Sequence, residues 1–272
     1  MRPFDLGLVR SLRARQERIR TGLYTIEGVR FLVAASDARA RFEGLVVCDE
    51  VLASTVGRMI VRRLRREGVP VLRVGAGEHE ELTRLSEGNG RGVIGVVAQR
   101  WTALERLRPH DLWLAVESVR SPGNLGTLLR TCLAVGARGV IVVGDADVYD
   151  PACVRATMGA LPALEVARMT PDALAHLCRR SGARLVGASP DGALDFRRAP
   201  LGGPVVLVVG SERKGLSEPM RRACDLLVRI PMAGRVDSLN LAVAGSLILY
   251  EAFARRPRSL DRSAGATSRR AR

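Results

Sequence analysis

Polar and flexible residues follow three apolar runs of the sequence. They are Asn124 in "SPGNLG", Gly210 and Glu212 in "VVGSERKG", and Ser238 and Asn240 in "IPMAGRVDSLN". Amides, hydroxyls and a carboxylate can orient a bound molecule, and glycine lets a ligand approach the backbone. In a parallel sheet, ligands bind in the crevice beyond the carboxyl ends of the strands. The three segments therefore predict a ligand site at one edge of a sheet.

Each of these side chains also has a structural interpretation, which a single sequence leaves open. Asn124 and Ser238 could cap the helices that follow them, and Glu212 could be a first-turn carboxylate favoured by a helix dipole. Asn240 would be a poor residue for the first turn of an apolar helix. One polar residue at a helix start is ordinary, but polar residues after all three runs favour a site.

Arg130 lies six residues after Asn124, among leucines of the same predicted helix. An arginine beside an apolar stripe commonly packs its stem there or pairs with an acid, so a functional role is only one interpretation. Arg213 and Lys214, beside Glu212, would suit a nearby phosphate, and a surface role fits them as well.

The first hundred residues predict an α/β unit. An arginine-rich helix over 9–22 ends at Gly22, and a second basic helix is expected over 51–68. Short apolar runs predict buried strands at 44–50, 69–74 and 91–99. The polar stretch 101–110, broken by Pro109, predicts a linker.

A second α/β series extends over 111–256. Continuous apolar runs predict strands buried on both faces of a parallel sheet, at 111–117, 139–144, 183–189 and 204–210. Helices are expected from Asn124 to about Val135, from Gly215 onward, and over 239–254. The small, polar and basic residues 257–272 predict a disordered tail.

Charge is the strongest compositional feature of the chain. Its 272 residues carry 43 Lys and Arg against 28 Asp and Glu, a formal net charge of +15. Because Lys214 is the only lysine, a preference for arginine explains Arg over Lys but not the excess of bases. Such a surface predicts a polyanion partner.

Other classes of site and location are disfavoured. No apolar run reaches the roughly 18–20 residues of a membrane span, and the N-terminus lacks a secretory signal, so we expect a cytosolic protein without membrane contact. The five cysteines and three histidines lack zinc-ligand spacing, which predicts buried free thiols and no metal site. The turn at Gly75 and Gly77 lacks the third glycine of a Rossmann site, and Glu78 stands where a pyrophosphate would approach. We expect only a turn there.

Three ordered motifs resemble those of the SpoU (TrmH-type) RNA ribose 2′-O-methyltransferases of the SPOUT superfamily. They are "PGNLGTLLRTCLAVGA", "GSERKGLS" and "IPMAGRVDSLNLAVAGSLILYEAF", and the resemblance spans about 111–255. Residues 1–100 resemble the ribosomal-protein-like α/β domain that often binds the RNA substrate of these enzymes. Glu117 and Ser121 depart from the first motif, which often has aspartates there.

The resemblance implies a C-terminal SPOUT domain with a parallel sheet and a deep trefoil knot that holds S-adenosylmethionine. It also implies a homodimer with the active site near the subunit interface. The positions that match the family's cofactor-binding residues are Gly210, Ile230, Met232 and Leu239. The positions that match its catalytic site are Asn124, Arg130, Glu212, Ser238 and Asn240. In the implied reaction, a ribose 2′-oxygen attacks the sulfonium methyl group in line, without a metal.

Arg130 matches the family's proposed key residue. A guanidinium stays protonated and is a poor base, so we expect Arg130 to bind an RNA phosphate and to stabilise the developing alkoxide. The other catalytic-site positions would then orient that arginine, the ribose or the RNA backbone. RNA is the expected partner, with large-subunit rRNA favoured over tRNA by the N-terminal domain and the charge. The alternatives are a tRNA methyltransferase and a non-catalytic RNA-binding protein of the same fold.

Overall fold

The computed structural model describes residues 4–83, 92–234 and 238–256, so the tail predicted over 257–272 lies outside the described residues. The described α-helices are α1 (Leu6–Ser11), α2 (Arg15–Thr21), α3 (Val29–Asp37), α4 (Thr55–Arg66), α5 (Ala76–Leu82), α6 (Pro122–Ala134), α7 (Pro151–Ala156), α8 (Pro171–Ser181), α9 (Glu218–Ala223) and α10 (Leu241–Ala254). The described strands are β1 (Leu23–Glu27), β2 (Phe42–Val47), β3 (Val71–Arg73), β4 (Val93–Ala98), β5 (Leu112–Glu117), β6 (Gly139–Val143), β7 (Glu165–Met169), β8 (Arg184–Ala188), β9 (Leu194–Asp195), β10 (Val205–Val209) and β11 (Leu226–Arg229).

The chain divides into two compact units, and neither unit is one continuous stretch. The described residues up to Arg100, together with Asp147–Ala163, form the first unit. Trp101–Ala146 and the described residues from Leu164 onward form the second. The segment Asp147–Ala163 follows β6 along the chain, yet its helix α7 packs against β1 in the first unit. Within the described ranges, no helix is long and apolar enough to cross a membrane.

In its described part, the first unit has a four-stranded mixed sheet in the order β1-β4-β2-β3. β4 is antiparallel to β1 and β2, while β2 and β3 are parallel and α4 connects them. α4 buries Val61 and Leu64 in a cluster with Leu45 and Val47 of β2. The predicted α/β unit is confirmed. The stretch at Gly75 is not only a turn, because Gly75 is the N-cap of α5.

The single helix predicted over 9–22 is wrong, because the structure has two helices there. Ala14 is extended and breaks the helical path between α1 and α2. The Arg18 side chain is only 2% exposed, and its guanidinium donates to the carbonyl of Leu12 at 2.8 Å, beside the break. Because carbonyls at a helix end have no partner within the helix, this contact stabilises the interruption. Gly22 ends α2, as predicted, and its conformation is left-handed.

The second unit, as far as it is described, has a seven-stranded sheet in the order β7-β6-β5-β10-β8-β11-β9. All neighbouring strands are parallel. β5, β6 and β10 are buried along their whole length, so the sheet is covered on both faces. The predicted α/β class with a parallel sheet is confirmed. β7, β9 and β11 were not predicted, because they are short or carry charged residues.

The stretch 101–110, which precedes this sheet along the chain, packs on the second unit. Leu107 is 2% exposed and belongs to the core cluster of the sheet. Its backbone N–H donates to the Ser181 hydroxyl at 2.9 Å. These contacts hold the stretch against the unit that contains β5.

All five cysteines lie in the described part of the chain, and all are free thiols, as predicted. Four of them are buried and Cys224 is partly buried. Burial raises the pKa of Cys178 and of Cys224 to about 12. These thiols are therefore protonated at neutral pH and act as small apolar side chains.

Two helices close one side of the sheet near β10. α10 packs against α6, and Gly245 makes this approach possible, since a Cβ there would lie 2.6 Å from Cδ2 of Leu128. The hydroxyls of Thr131 and Ser246 are hydrogen-bonded at 2.9 Å across the same contact. The start of α10 is thereby fixed beside the carboxyl ends of the central strands.

Candidate active site

A cavity of about 580 Å³ opens in the second unit, at the edge where β8, β10 and β11 end. Its lining includes eight of the nine predicted site residues: Asn124, Gly210, Glu212, Ile230, Met232, Ser238, Leu239 and Asn240. Arg130 does not line it. The prediction that the ends of several apolar runs meet at one sheet edge is confirmed. Among the described residues, no three His, Cys, Asp or Glu side chains form a group that could hold a metal ion.

Glu212 connects the turn after β10 to the start of α6. Its carboxylate accepts hydrogen bonds from the backbone N–H groups of Arg120 (3.3 Å) and Ser121 (3.1 Å) and from Nδ2 of Asn124 (3.1 Å). Burial raises the pKa of Glu212, but the hydrogen bonds from its own backbone, Asn124, Arg120 and Ser121 together lower that pKa below its ordinary value. The carboxylate is therefore ionised at neutral pH, which makes it a strong acceptor and a poor base.

Asn240 joins the same hydrogen-bonded chain from the other side. Its Nδ2 donates to Oδ1 of Asn124 at 3.0 Å. Its Oδ1 accepts from the N–H of Ala242 (2.9 Å) and from that of the next residue (3.3 Å), so Asn240 is the N-cap of α10. The prediction that Ser238 caps a helix beginning at 239 is wrong, because the helix begins at Leu241. Ser238 instead lies on the cavity wall.

Asn124 is not a helix cap either. Ser121 caps α6, since its hydroxyl oxygen accepts the N–H of Asn124 at 3.3 Å, and Pro122 occupies the first helical position. Asn124 is thus in the first turn, where its side chain bonds Glu212 and Asn240. Ser121, which departs from the family's aspartate, supplies the cap itself.

The helix expected from Gly215 onward does not begin there. Ser211 and Gly215 exchange two backbone hydrogen bonds of 3.0 and 2.9 Å, and Gly215 is left-handed with φ +64°. α9 begins later, at Glu218, with Ser217 as its N-cap. The interpretation of Glu212 as a first-turn carboxylate is therefore wrong. The buried Glu117 of β5 accepts the N–H of Ser217 at 2.8 Å, which ties β5 to this turn.

Gly210 is required by the close approach of two backbone segments. A Cβ at this position would lie 2.2 Å from the carbonyl carbon and oxygen of Gly215. Any larger residue would displace the turn that carries Glu212. Because Gly210 also lines the cavity, a ligand can reach the main chain there.

The end of β8 contributes cavity residues that were not among the predicted site residues. Ser189 and Asp191 follow β8, and Arg221 of α9 donates to the Ser189 hydroxyl at 2.9 Å. The position of Ser189 and Asp191 could be predicted from the sequence, because the run at 183–189 predicts a strand of the same parallel sheet. Its polar continuation would then reach the same edge.

Arg130 lies apart from the other predicted site residues. It is exposed on α6, and its side chain makes no hydrogen bond or ion pair with another residue of the described ranges. The interpretation that it pairs with an acid is therefore not supported by those residues. Leu133, three residues later on the same helix, is 43% exposed.

Comparison with known proteins agrees with this geometry over nearly the whole chain. The SpoU rRNA Methylase family model matches residues 111–250, and the MRM3-like substrate binding domain model matches residues 8–91. A 23S rRNA (uridine(2479)-2′-O)-methyltransferase of Streptomyces viridochromogenes is 34% identical over 254 residues, covering 89% of this chain and 86% of that protein.

Two further relatives show the same similarity. The 23S rRNA (guanosine-2′-O-)-methyltransferase RlmB of Pseudomonas aeruginosa is 37% identical over 194 residues, covering 67% of this chain and 78% of that protein. The structure of an AdoMet-bound rRNA methyltransferase from Sinorhizobium meliloti superposes with a TM-score of 0.83 at 32% identity, covering 91% of this chain and 93% of that one. The parallel sheet, the cavity at its edge and these matches have one conclusion: the chain belongs to the SpoU rRNA methylase family.

Proposed function

We propose that this protein transfers a methyl group from S-adenosylmethionine to a ribose 2′-hydroxyl of large-subunit rRNA. The observation that carries the proposal is the hydrogen-bonded chain Glu212–Asn124–Asn240 on the wall of the cavity. The relatives from Streptomyces and Pseudomonas are named as 23S rRNA 2′-O-methyltransferases. The Streptomyces enzyme aligns with both units, which favours rRNA over tRNA for this chain as well.

The cavity fits S-adenosylmethionine in size and chemistry. Small-molecule sites commonly enclose about 300–1,000 Å³, and this one has about 580 Å³. Ile230, Met232 and Leu239 offer apolar side chains to a ring system, and Gly210 exposes main chain. The ionised carboxylate of Glu212 favours a cationic ligand. When bound, the cofactor supplies an electrophilic methyl group on its sulfonium.

The chain's own residues would align the ribose with that group. Glu212 fixes Asn124, and Asn124 fixes Asn240, so both carboxamides are held before a substrate binds. In these contacts, each carboxamide nitrogen uses one of its two N–H donors, which leaves one for a ribose or an RNA phosphate. Ser238 would act in the same way from its place on the cavity wall. Such positioning lowers the entropic barrier of an in-line displacement.

We also propose a homodimer formed through α6 and α10. Val243, Leu247 and Tyr250 form an apolar stripe on α10 that is 44–53% exposed, and Leu133 of α6 is 43% exposed. Contiguous exposed apolar side chains of this kind are typical of a subunit interface. Arg130 is exposed on α6 and lies outside its own cavity, and we propose that a second subunit bound here takes Arg130 into its site. That position suits the predicted contact with an RNA phosphate.

The predicted trefoil knot is part of the same proposal. From β11, which lies beyond β8 in the sheet, the chain must return to α10, and α10 packs on α6 and β10. We propose that the chain passes under the turn at 210–215 on this return, which would form the knot. We propose the functional domains at the boundaries predicted above, with RNA binding in 1–100 and methyl transfer in 111–256.

Transfer of radiolabelled methyl groups tests the activity directly. Purified protein is incubated with labelled S-adenosylmethionine and either deproteinised 23S rRNA or total tRNA. We expect 2′-O-methyl label in the rRNA, and loss of transfer in Asn124→Ala with the fold intact. Arg222→Gln, which alters an exposed pair with Glu218 on α9, is the matched control and should retain activity. Label in tRNA alone would contradict the rRNA assignment, and RNA binding without transfer would favour the non-catalytic alternative.

Subunit mixing tests the role of Arg130. Arg130→Ala and Asn124→Ala are each expected to be inactive as pure dimers. If Arg130 acts in the partner's site, a heterodimer of the two variants has one intact site, and refolded mixtures should regain about a quarter of wild-type activity by random pairing. If Arg130 acts in its own subunit, both sites of that heterodimer are damaged and no activity returns.

A further inference from the structure

We infer that the exposed face of α4, in the first unit, is a binding surface for the RNA phosphate backbone. This inference rests on the proposed function, which supplies the RNA. α4 contains five arginines in twelve residues, "TVGRMIVRRLRR", and no acidic residue. Its opposite face buries Gly57, Val61 and Leu64, so the arginines are held outward by the packing of the helix.

Two of these arginines are engaged within the first unit. Arg58 donates to the carbonyl of Leu52 at 2.6 Å. Arg63 forms an ion pair with Glu67 at 3.7 Å and a hydrogen bond with the Ser36 hydroxyl. These two side chains have structural roles.

The other three arginines of α4 have no such role. Arg62, Arg65 and Arg66 are exposed, and their side chains make no hydrogen bond or ion pair with any residue that the structure describes. Arg65 and Arg66 lie three and four residues after Arg62, so all three guanidinium groups lie close together on the helix surface. Like charges at this spacing destabilise a helix. The negative end of the helix dipole favours Arg65 and Arg66 in the last turn, but Arg62 lies further from that end.

Exposed arginines on two other helices have acidic partners. Arg20 pairs with Glu17 at 2.5 Å on α2, and Arg222 pairs with Glu218 at 3.3 Å on α9. α4 is different because its unpaired charge is concentrated on one face. A polyanion would supply the missing counter-charge and gain affinity by release of its own counterions.

Exposed apolar side chains accompany these arginines. Met59 is 63% exposed, and it lies three residues before Arg62 and seven before Arg66, on the same face. Val56 is 53% exposed. A flexible thioether among guanidinium groups suits the sugars and bases of RNA. An anionic membrane fits less well, because a membrane-bound helix inserts a broad apolar face, and that of α4 is buried in the unit.

A triple substitution tests this surface. Arg62→Gln, Arg65→Gln and Arg66→Gln are combined, since glutamine keeps a helix propensity close to that of arginine. The matched control combines Arg20→Gln, Arg197→Gln and Arg222→Gln, which removes the same charge from exposed arginines that have acidic partners. The measurements are the Kd for deproteinised 23S rRNA over a series of salt concentrations, the KM and kcat of methyl transfer, and the Kd for S-adenosylmethionine.

We expect the α4 variant to bind rRNA at least about tenfold more weakly and to raise the KM for RNA in proportion. The slope of log K against log salt should decrease by about 2 to 3, since each lost phosphate contact contributes roughly 0.7–0.9. Its kcat, its cofactor Kd and its melting temperature should equal those of the wild type, and the control should lose less than about threefold in affinity. If the triple variant is destabilised, Arg62→Gln alone should still lower the slope by about 1.

Equal losses in the α4 variant and the control would overturn the inference, because general charge would then explain both. So would binding of wild-type protein to vesicles with anionic headgroups that depends on the same three arginines. The two proposals fail separately. Normal methyl transfer with an unchanged KM in the α4 variant refutes the surface alone, whereas absence of methyl transfer with arginine-dependent rRNA binding refutes the function alone.

Discussion

Replacing Asn240 with aspartate and with alanine separates two roles that this side chain has in the structure. Its Oδ1 caps α10 by accepting two backbone N–H groups, and its Nδ2 donates to Asn124. Aspartate keeps the capping oxygen but has no N–H for Asn124. Alanine removes both contacts. The two variants should therefore differ in stability and share a loss of activity.

The magnitudes follow from the contacts. Loss of a good N-cap costs about 1 kcal/mol, and loss of one hydrogen bond costs about 0.5–1.5 kcal/mol. Asn240→Ala should thus lower the free energy of unfolding by about 1.5–2.5 kcal/mol. In Asn240→Asp, the charge at the helix N-terminus contributes about 0.3–1 kcal/mol and offsets most of the lost hydrogen bond. That variant should be within about 1 kcal/mol of the wild type.

Catalysis should respond differently from stability. In Asn240→Asp, the Asn124 amide faces two carboxylates, at 240 and at Glu212, and its oxygen cannot donate to either of them. Asn124 then loses its single orientation, and kcat should fall at least about tenfold, equivalent to 1.4 kcal/mol. Urea unfolding at fixed protein concentration measures the stability, and methyl-transfer kinetics measure kcat. Cofactor calorimetry shows that each variant still binds S-adenosylmethionine. Equal stability of the two variants would refute the capping role, and a wild-type kcat in Asn240→Asp would refute the orienting role.

Three other substitutions test the site and the interface. Hydrogen bonds hold the pKa of Glu212 in the folded state below its value in the unfolded chain. Ionised Glu212 therefore stabilises the fold at pH values above the unfolded pKa, and this contribution is lost as the pH falls through the folded pKa. Urea unfolding from about pH 5 downward should show this loss in the wild type and less of it in Glu212→Gln. Gly210→Ala should destabilise the protein by about 1–3 kcal/mol and weaken cofactor binding in calorimetry, because its Cβ would meet the Gly215 backbone. The control Gly203→Ala should do neither, because a Cβ there has no neighbour within 4 Å. Leu247→Glu should convert dimers to monomers in sedimentation, and dimers that persist would exclude the α10 stripe as the interface.

The sheet of the second unit could be predicted where its strands are continuous apolar runs. β5, β6, β8 and β10 are of this kind, because a parallel strand covered on both faces has no polar face to show. β7 carries Glu165 and Arg168, and β9 has only two residues, so neither has the local signal. Both are edge strands of the sheet, and pairing with β6 and β11 determines them rather than a pattern of their own.

Helix starts were predicted less well than strands. Near α10, Ser238 and Asn240 can both cap a helix, and near α6 the same is true of Ser121 and Asn124. In each case, the path of the chain after the preceding strand decides which of the two residues has the extended backbone of an N-cap. The two asparagines have different roles: Asn240 caps a helix and also contacts Asn124, whereas the Asn124 side chain caps no helix and bonds Glu212 and Asn240.

By itself, the sequence determined the α/β class, the buried strands and the sheet edge with the cavity, because apolar runs, turns and motifs are local signals. Only the tertiary structure decided which polar groups meet. Glu212 and Asn124 are 88 residues apart, and Asn124 and Asn240 are 116 apart. Hydrogen bonds over such separations depend on the sheet order, which brings the ends of β5 and β10 together, and no short stretch of sequence records that order. The packing of Asp147–Ala163 in the first unit has the same cause, since it depends on contacts with distant residues rather than on its own pattern.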